Sequence, residues 1–241
     1  MPPARFIVAS GDLDRGIVQL RGAELRHLRA RRLGSGAEIV LTDGAGRERR
    51  GTIEDMTPRY AQVRLHLAVS KDASSESRLR LDLAQAALKA DKLDFVVEKA
   101  TELGVNSVTV FTSTRCVSKP APGRLDRWKR IAQSATAQSQ RSVVPLIRGP
   151  MTFAEVLATA PASLRLLFWE QAVSERLDPG LLSPAAKVLA VVGPEGGFGP
   201  TEVAAARAAG FHIVGLGPRV LRAETAAIVA VTLCQRLWGD L

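Results

Sequence analysis

The hydrophobic pattern of the chain changes period near residue 78, and that change limits the fold more than any other feature. Downstream, short apolar runs alternate with segments of helical spacing. Leu79, Leu81 and Leu83 alternate as a strand. Leu93, Val96, Val97, Ala100 and Leu103 recur at helical intervals, and Gly104 follows as a stop. Ser107–Phe111 predicts the next strand. Leu125–Arg141 predicts an amphipathic helix through Leu125, Trp128, Ile131, Ala132 and Ala135. Leu164–Trp169 and Lys187–Val192 are short apolar runs of the kind found in buried parallel strands. Thr201–Ala209 reads as a helix closed by Gly210, Ile213–Leu216 as a strand and Ala223–Trp238 as a last helix. Alternation of this kind specifies an α/β sheet covered on both faces.

Upstream, the period is that of strands. Ile17–Leu20, Glu38–Thr42 and Ala61–Val69 are strand candidates; in the last, Val63, Leu65, Leu67 and Val69 alternate with Gln62, Arg64, His66 and Ala68. Asp43-Gly44-Ala45-Gly46 is turn chemistry, and Glu24–Arg32 reads as one short helix. This is the pattern of a small β-barrel-like module with a basic face. Ser70–Ser77 is polar, Ser-rich and aperiodic. The chain thus divides into residues 1–70 and 78–241 with a linker at 70–77.

Charge follows the same division. The net charge is +9. Residues 1–70 hold 12 Arg, no Lys and 8 acids; residues 71–150 hold 14 basic and 8 acidic residues; residues 151–241 hold 7 and 8. The basic excess therefore sits in the first 150 positions, and nucleic acid is the commonest partner for such an excess. A generically basic soluble protein is the plain alternative. Cys116 and Cys234 are far apart, and His27, His66 and His212 are isolated. No zinc-like cluster is present, and the cysteines read as buried reduced thiols. No signal pattern or membrane-length apolar run occurs, so the expected location is the cytoplasm.

Chemistry is expected where strands end, because ligands of open parallel sheets bind beyond the carboxyl ends. Lys187–Val192 runs into Gly193-Pro194-Glu195-Gly196-Gly197-Phe198-Gly199-Pro200. Ile213–Leu216 runs into Gly217-Pro218-Arg219-Val220-Leu221-Arg222-Ala223-Glu224-Thr225-Ala226. Glycines let the backbone approach a ligand, and prolines fix the loop. The pair suits a flat heterocycle held by backbone groups, although glycine turns also serve as mere connections. Dinucleotide, P-loop, hydrolase-elbow and zincin motifs are absent.

The runs GPEGGFGPTEV (Gly193–Val203) and LGPRVLRAETA (Leu216–Ala226) resemble the signature of the SPOUT methyltransferases. More narrowly, they resemble the family that makes N3-methyluridine in bacterial 16S ribosomal RNA. KADKLDFVVEKATELGV (Lys89–Val105), RWKRIAQSATAQSQRSVVP (Arg127–Pro145), Arg5-Phe6 and Arg26-His27-Leu28 are similar to further segments of that family. The resemblance implies a SPOUT-type parallel sheet with a trefoil knot, preceded by a PUA-like β-barrel domain that binds RNA. It also implies S-adenosyl-L-methionine as cofactor, 16S rRNA of the 30S subunit as partner, and a homodimer. Three departures stand out: Thr112-Ser113-Thr114-Arg115-Cys116 replaces a frequent Ser-Glu-Arg-Ser, Ala223 stands where Thr is frequent, and the surroundings of His27 are unusually Arg-rich.

The site expected on this basis has Gly193, Pro194, Glu195, Gly196, Gly197, Leu216, Gly217, Leu221, Arg222, Ala223, Glu224, Thr225 and Ala226 around the cofactor. Glu195 either contacts the cofactor's polar end or makes local bonds. Glu224 and Thr225 suit helix capping as well as catalysis. Arg222 is the expected catalytic group, binding the target phosphate or stabilising negative charge on uracil, with an ion pair to a helix acid as its alternative. Arg5, Arg26, His27, Arg29 and Arg141 are the expected RNA contacts. No group is assigned as general base. Competing readings are a SPOUT enzyme acting on another rRNA or tRNA nucleotide, a non-catalytic RNA-binding protein, and an enzyme using the glycine loops for a phosphate.

Overall fold

In the computed structural model, residues 3–66, 76–89, 91–118, 120–159, 164–177, 180 and 187–241 are described. The chain forms two compact units. One comprises Met1–Glu76 with Thr136–Val144, the other Ser77–Ala135 with Pro145–Leu241.

The first unit is built on a five-stranded sheet. Its strands are β1 (Ala4–Ile7), β2 (Ile17–Leu20), β3 (Glu38–Thr42), β4 (Glu48–Met56) and β5 (Ala61–Leu65), in spatial order β1-β3-β4-β5-β2. β1 runs parallel to β3 and the other pairs are antiparallel. Alternation in β5 buries Ala61, Val63 and Leu65 while Gln62 and Arg64 point away. Those residues join Phe6, Val18, Ile39, Leu41 and Ile53 in one core, closed by Leu25 and Leu28 of helix α1 (Gly22–Ala30). The expected strand residues Leu67 and Val69, and most of the expected linker 70–77, lie outside the described residues.

β1 and β4 carry no readable strand signal. In β4, Glu48, Arg49, Arg50, Gly51, Glu54 and Asp55 break the alternation, yet β3 and β5 pair with it on both sides. Gly51 is required there, because a Cβ would stand 2.8 Å from the Arg64 carbonyl oxygen.

Residues Thr136–Val144 complete this unit. Thr42 Oγ1 donates to the Ser142 carbonyl at 3.1 Å, and Val144 N donates to the Gly44 carbonyl at 2.8 Å. The Glu76 carboxylate accepts from Arg141 Nη2 at 2.7 Å, Arg141 Nε at 3.1 Å, Ser142 N at 2.9 Å and Val143 N at 3.0 Å.

The second unit is an all-parallel sheet of six strands in the order β11-β9-β10-β6-β7-β8. The strands are β6 (Arg80–Ala86), β7 (Ser107–Thr112), β8 (Leu146–Thr152), β9 (Leu164–Phe168), β10 (Lys187–Val192) and β11 (His212–Val214). The helices are α2 (Lys92–Glu102), α3 (Arg124–Gln138), α4 (Phe153–Leu157), α5 (Pro200–Ala208) and α6 (Ala223–Trp238). From Val188 to Val192 every residue of β10 is buried, as a strand covered on both faces requires. Leu189 and Val191 pack with residues of α4 and α5, and α6 lies against β10 and β6. The expected α/β sheet is present. β8 had no expectation; Arg148, Gly149 and Pro150 obscure it, and its place at the sheet edge tolerates them. β11 ends at Val214 rather than Leu216, because Gly215 N donates to the Glu175 carbonyl at 2.8 Å instead of continuing the ladder.

Candidate active site

Three neighbouring strands, β11, β9 and β10, deliver their carboxyl ends to one place in the second unit. A cavity of about 420 Å³ opens there, within the range of small-molecule sites. The loop after β10 supplies Gly193, Pro194, Glu195, Gly196, Gly197 and Phe198. The loop after β11 supplies Leu216, Gly217, Arg219, Val220, Leu221 and Arg222, and the start of α6 adds Ala223 and Ala226. The end of β9 adds Phe168, Trp169 and Glu170, and Lys92 reaches in from the start of α2.

Local chemistry shapes the loop after β10. Gln85, buried at the end of β6, donates from Nε2 to the Gly193 carbonyl at 3.1 Å. A Cβ on Gly193 would stand 3.0 Å from the Phe198 ring, which turns back into the core and stacks on Phe111 with centroids 6.4 Å apart. Gly197 has φ +65°, and a Cβ there would also lie 2.6 Å from Glu170 Oε1. Gly199 N donates to Glu202 Oε2 at 2.9 Å, and Thr114 N to Glu202 Oε1 at 2.9 Å. One buried carboxylate therefore caps α5 and holds the loop after β7. From that second loop, Arg115 Nη1 donates to the Gly196 carbonyl at 3.3 Å. The Thr112–Cys116 departure thus lies against the glycine loop.

Of the thirteen residues expected around the cofactor, eleven line the cavity, and Glu224 and Thr225 do not. Glu195 makes local bonds: its Oε1 accepts from Lys89 N at 3.1 Å and lies 3.7 Å from Lys92 Nζ. Glu224 lies 3.5 Å from the same ammonium. Lys92 therefore bridges the acid of one loop and the first turn of α6. The N-cap of α6 is Arg222, without a side-chain cap, so neither Glu224 nor Thr225 caps that helix. The Arg222 side chain is exposed and makes no hydrogen bond or ion pair among the described residues, while its carbonyl accepts from Ala226 N at 2.8 Å as α6 begins. Glu224, the acid in the first turn of the same helix, is engaged by Lys92 instead. Sequence reasoning missed Phe168–Glu170 and Lys92. Leu164–Trp169 reads as an ordinary buried strand with no glycine to mark its end, and only the strand order brings it beside β10.

The five expected RNA contacts separate in the first unit. Arg26 is exposed on α1. Arg29 Nη2 donates to the Thr57 carbonyl at 2.9 Å. His27 Nε2 accepts from Arg31 Nε at 3.0 Å, and its ring lies 5.1 Å from that of Phe6. Burial first, then the Arg31 charge, hold its pKa below the ordinary 6.5, with Glu24 opposing. The structure gives Arg5 and Arg141 a different place. Arg5 pairs with Glu48 at 2.9 Å, both largely buried. Arg141 is only 2% exposed and grips Glu76 with two nitrogens. Guanidinium groups so enclosed bind the fold, not an external phosphate. Among the described residues no cluster of three or more His, Cys, Asp or Glu could hold a metal, and no helix is long and apolar enough to cross a membrane. Cys234 is buried, with its thiol pushed up to about 12 by burial, whereas Cys116 is only partly covered.

The glycine-rich cavity at the carboxyl edge of the parallel sheet, in a chain that also carries a small β-rich unit, is the arrangement of the RNA methyltransferases whose family models the chain matches. The family model of the RNA methyltransferase domain matches residues 75–235, and that of the RNA methyltransferase PUA domain matches residues 20–65. Among the similar proteins are two named ribosomal RNA small subunit methyltransferase E. The one from Synechocystis is 34% identical, covering 94% of this chain and 75% of that protein; the one from Mycobacterium bovis is 32% identical, covering 83% and 79%. A crystal structure of the Neisseria gonorrhoeae ribosomal RNA small subunit methyltransferase E bound to S-adenosyl methionine matches 99% of both chains at 32% identity, with TM-score 0.89. A putative methyltransferase from Legionella pneumophila, in complex with the same cofactor, matches 100% of both at 28% identity and TM-score 0.89. The chain belongs to the ribosomal RNA small subunit methyltransferase E family. Its second unit has the SPOUT-type parallel sheet.

Proposed function

We propose that this protein transfers a methyl group from S-adenosyl-L-methionine to N3 of a uridine in 16S rRNA of the 30S subunit, as a cytoplasmic homodimer. The observation that carries the reading is the convergence of both glycine loops and the start of α6 on one cavity. The Neisseria relative bound to S-adenosyl methionine supports the choice of ligand. The residues present suit it. Gly217 has φ +100° with nothing within 4 Å of a would-be Cβ, so its backbone is approachable. Trp169 Nε1 is buried without a hydrogen-bond partner and offers a donor beside the apolar walls of Phe168, Val192 and Leu216.

Gly193–Gly197, Leu216–Gly217 and Leu221–Ala226 hold the cofactor in this reading, mainly through backbone groups. The sulfonium supplies the electrophile, so the protein's task is alignment and management of charge on the acceptor. Uracil N3 is a poor nucleophile until its proton is lost or shared. Arg222, exposed, unpaired and on the cavity wall, is placed to bind the target phosphate or stabilise the uracil anion. Arg26, His27 and Arg29 on α1 approach the RNA, chiefly by phosphate contacts. The unit around residues 1–70 is the PUA-like RNA-binding domain, and residues 78–241 form the methyltransferase domain, with a trefoil knot.

The decisive experiment compares methylated uridines in 16S rRNA from cells with and without this gene. Loss of one N3-methyluridine, restored by the wild-type gene, is the expected result. An unchanged 16S rRNA with a methyl missing from tRNA or another rRNA would overturn the substrate. Sedimentation of the purified protein at twice the monomer mass checks the dimer.

A further inference from the structure

The segment between β11 and α6 carries an apolar side chain in an unusual place. Val220 is 82% exposed, more than any other large hydrophobic residue among those described. A lone exposed valine is ordinary on a protein surface; its neighbours are what set it apart. Val220 lines the cavity, and so do Arg219 and Arg222 on either side of it. A side chain that lines a cavity and also meets solvent stands at the opening. Both arginines are exposed, and neither side chain makes a hydrogen bond or ion pair among the described residues. The segment Leu216–Ala223 contains no acid. Its ends are tied down: Gly215 N donates to the Glu175 carbonyl at 2.8 Å, and the Arg222 carbonyl accepts from Ala226 N at 2.8 Å. Between these anchors Gly217, at φ +100°, and Pro218 turn the chain, and no group from Leu216 to Leu221 is hydrogen-bonded among the described residues. The product is a short tip with one apolar residue flanked by two unengaged cations.

Resting on the reading that this cavity holds the methyl donor and that 16S rRNA is the substrate, we propose that Arg219–Arg222 is the RNA-docking tip of the second unit, and that it takes an unpaired, unstacked nucleotide. Uracil N3 lies on the edge used for base pairing. It reaches a donor inside a protein cavity only when the base is unpaired and turned out of its stack. A nucleotide in that state shows a base face, which packs on apolar side chains, beside phosphates that stay anionic. Val220 suits the first, and Arg219 and Arg222 suit the second. A second copy of this chain suits the tip less well. A two-fold contact centred there sets the arginines against their own copies, and a tip buried by protein closes the opening to RNA.

The test uses 30S subunits and naked 16S rRNA from cells lacking this gene, labelled S-adenosylmethionine, and the wild-type, Val220→Ser, Val220→Ile and Arg219→Ala proteins. Val220→Ser should lower kcat/KM for RNA about tenfold, the scale of one lost base contact, and Val220→Ile should restore it. Arg219→Ala should raise KM for RNA, keep the rate at saturating RNA, and reduce the log–log salt slope of binding by about one. Calorimetric affinity for S-adenosylmethionine should stay within about twofold in all three variants, which also shows that they fold. In the wild type, single-stranded oligouridylate should compete with 16S rRNA better than duplex RNA of the same length, and Val220→Ser should narrow that difference. Unchanged methylation in both Val220→Ser and Arg219→Ala would overturn the proposal. So would a loss of cofactor affinity equal to the loss of activity, which would give the tip to the cofactor. A Val220→Ser protein that sediments at half the wild-type mass would also overturn it, because a second copy would then cover the valine. A wild-type protein that binds S-adenosylmethionine but methylates neither RNA would instead overturn the 16S rRNA reading.

Discussion

At the scale of single residues, the charged groups around the cavity divide into those that hold the walls and those left for a ligand. Lys92 belongs to the first set through its two acids. Arg222 belongs to the second, and Arg222→Ala should lower the methylation rate by about 10²–10³-fold, as loss of a charge-stabilising donor does, while cofactor affinity measured by calorimetry stays near wild type. Gly197→Ala adds a Cβ at positive φ against Glu170, and should weaken cofactor binding and destabilise the protein by about 1–3 kcal/mol in denaturant titration. His27 makes a prediction about pH. Its pKa is lower in the fold than in the open chain, so the unfolded state takes up the proton more readily. The stability it contributes is therefore present above 6.5 and declines as pH falls through the folded value. His27→Gln should flatten the pH dependence of stability in that window, and an unchanged slope would count against His27, lowered first by burial and then by Arg31, as its origin.

At the scale of elements, the chain's periodicities located most strands and helices of the second unit, because parallel strands buried on both faces are written as continuous apolar runs. Ala223–Trp238 and Lys187–Val192 were readable to the residue. What stayed hidden has a common cause. β1, β4 and β8 owe their conformation to paired strands rather than to their own alternation: Ala4 lies against Ile39 and Ser107 against Leu146 from distant segments, and β4 is held between its hairpin neighbours β3 and β5. The same holds for the site. Two of its loops announce themselves by glycine and proline, whereas the Trp169–Glu170 wall is created only by the placement of β9 between β11 and β10. Gly215 marks how tightly these elements are drawn together: a Cβ there would penetrate the carbonyl of Ala172. Backbone cannot give way as a side chain can, so Gly215→Ala should cost about 1–3 kcal/mol or more in thermal or denaturant unfolding. The cavity should loosen with it.

At the scale of the whole molecule, charge and packing exchange roles for two expected RNA contacts. Arg5 and Arg141 contribute to the basic count, but their partners Glu48 and Glu76 cancel them inside the fold. Composition could not separate enclosed arginines from exposed ones, since the acid facing Arg141 lies 65 positions away. Removing one partner of such a pair strands a buried charge, so Glu76→Ala should destabilise the first unit by about 3–5 kcal/mol. Binding of 16S rRNA should weaken steeply with added salt if phosphate contacts dominate, and Arg26→Ala should reduce that slope while Arg141→Ala acts mainly on stability. Under native conditions a thiol reagent should modify Cys116 well before Cys234, whose thiolate form is suppressed by burial.

The Thr136–Val144 segment carries a consequence for synthesis on the ribosome. N-terminal units commonly fold first as they emerge, at about 5–20 residues per second. Here the first unit lacks a strip of its own packing until Val144 has left the exit tunnel, long after Glu76. The Glu76 carboxylate waits that interval, roughly 3–14 s at such rates, before Arg141 and the amides of Ser142 and Val143 arrive to receive it. The nascent protein is thus committed to maturing its first module only after more than a third of the second has been translated, and a gene cut at the serine-rich stretch would encode a first module with one face unfinished.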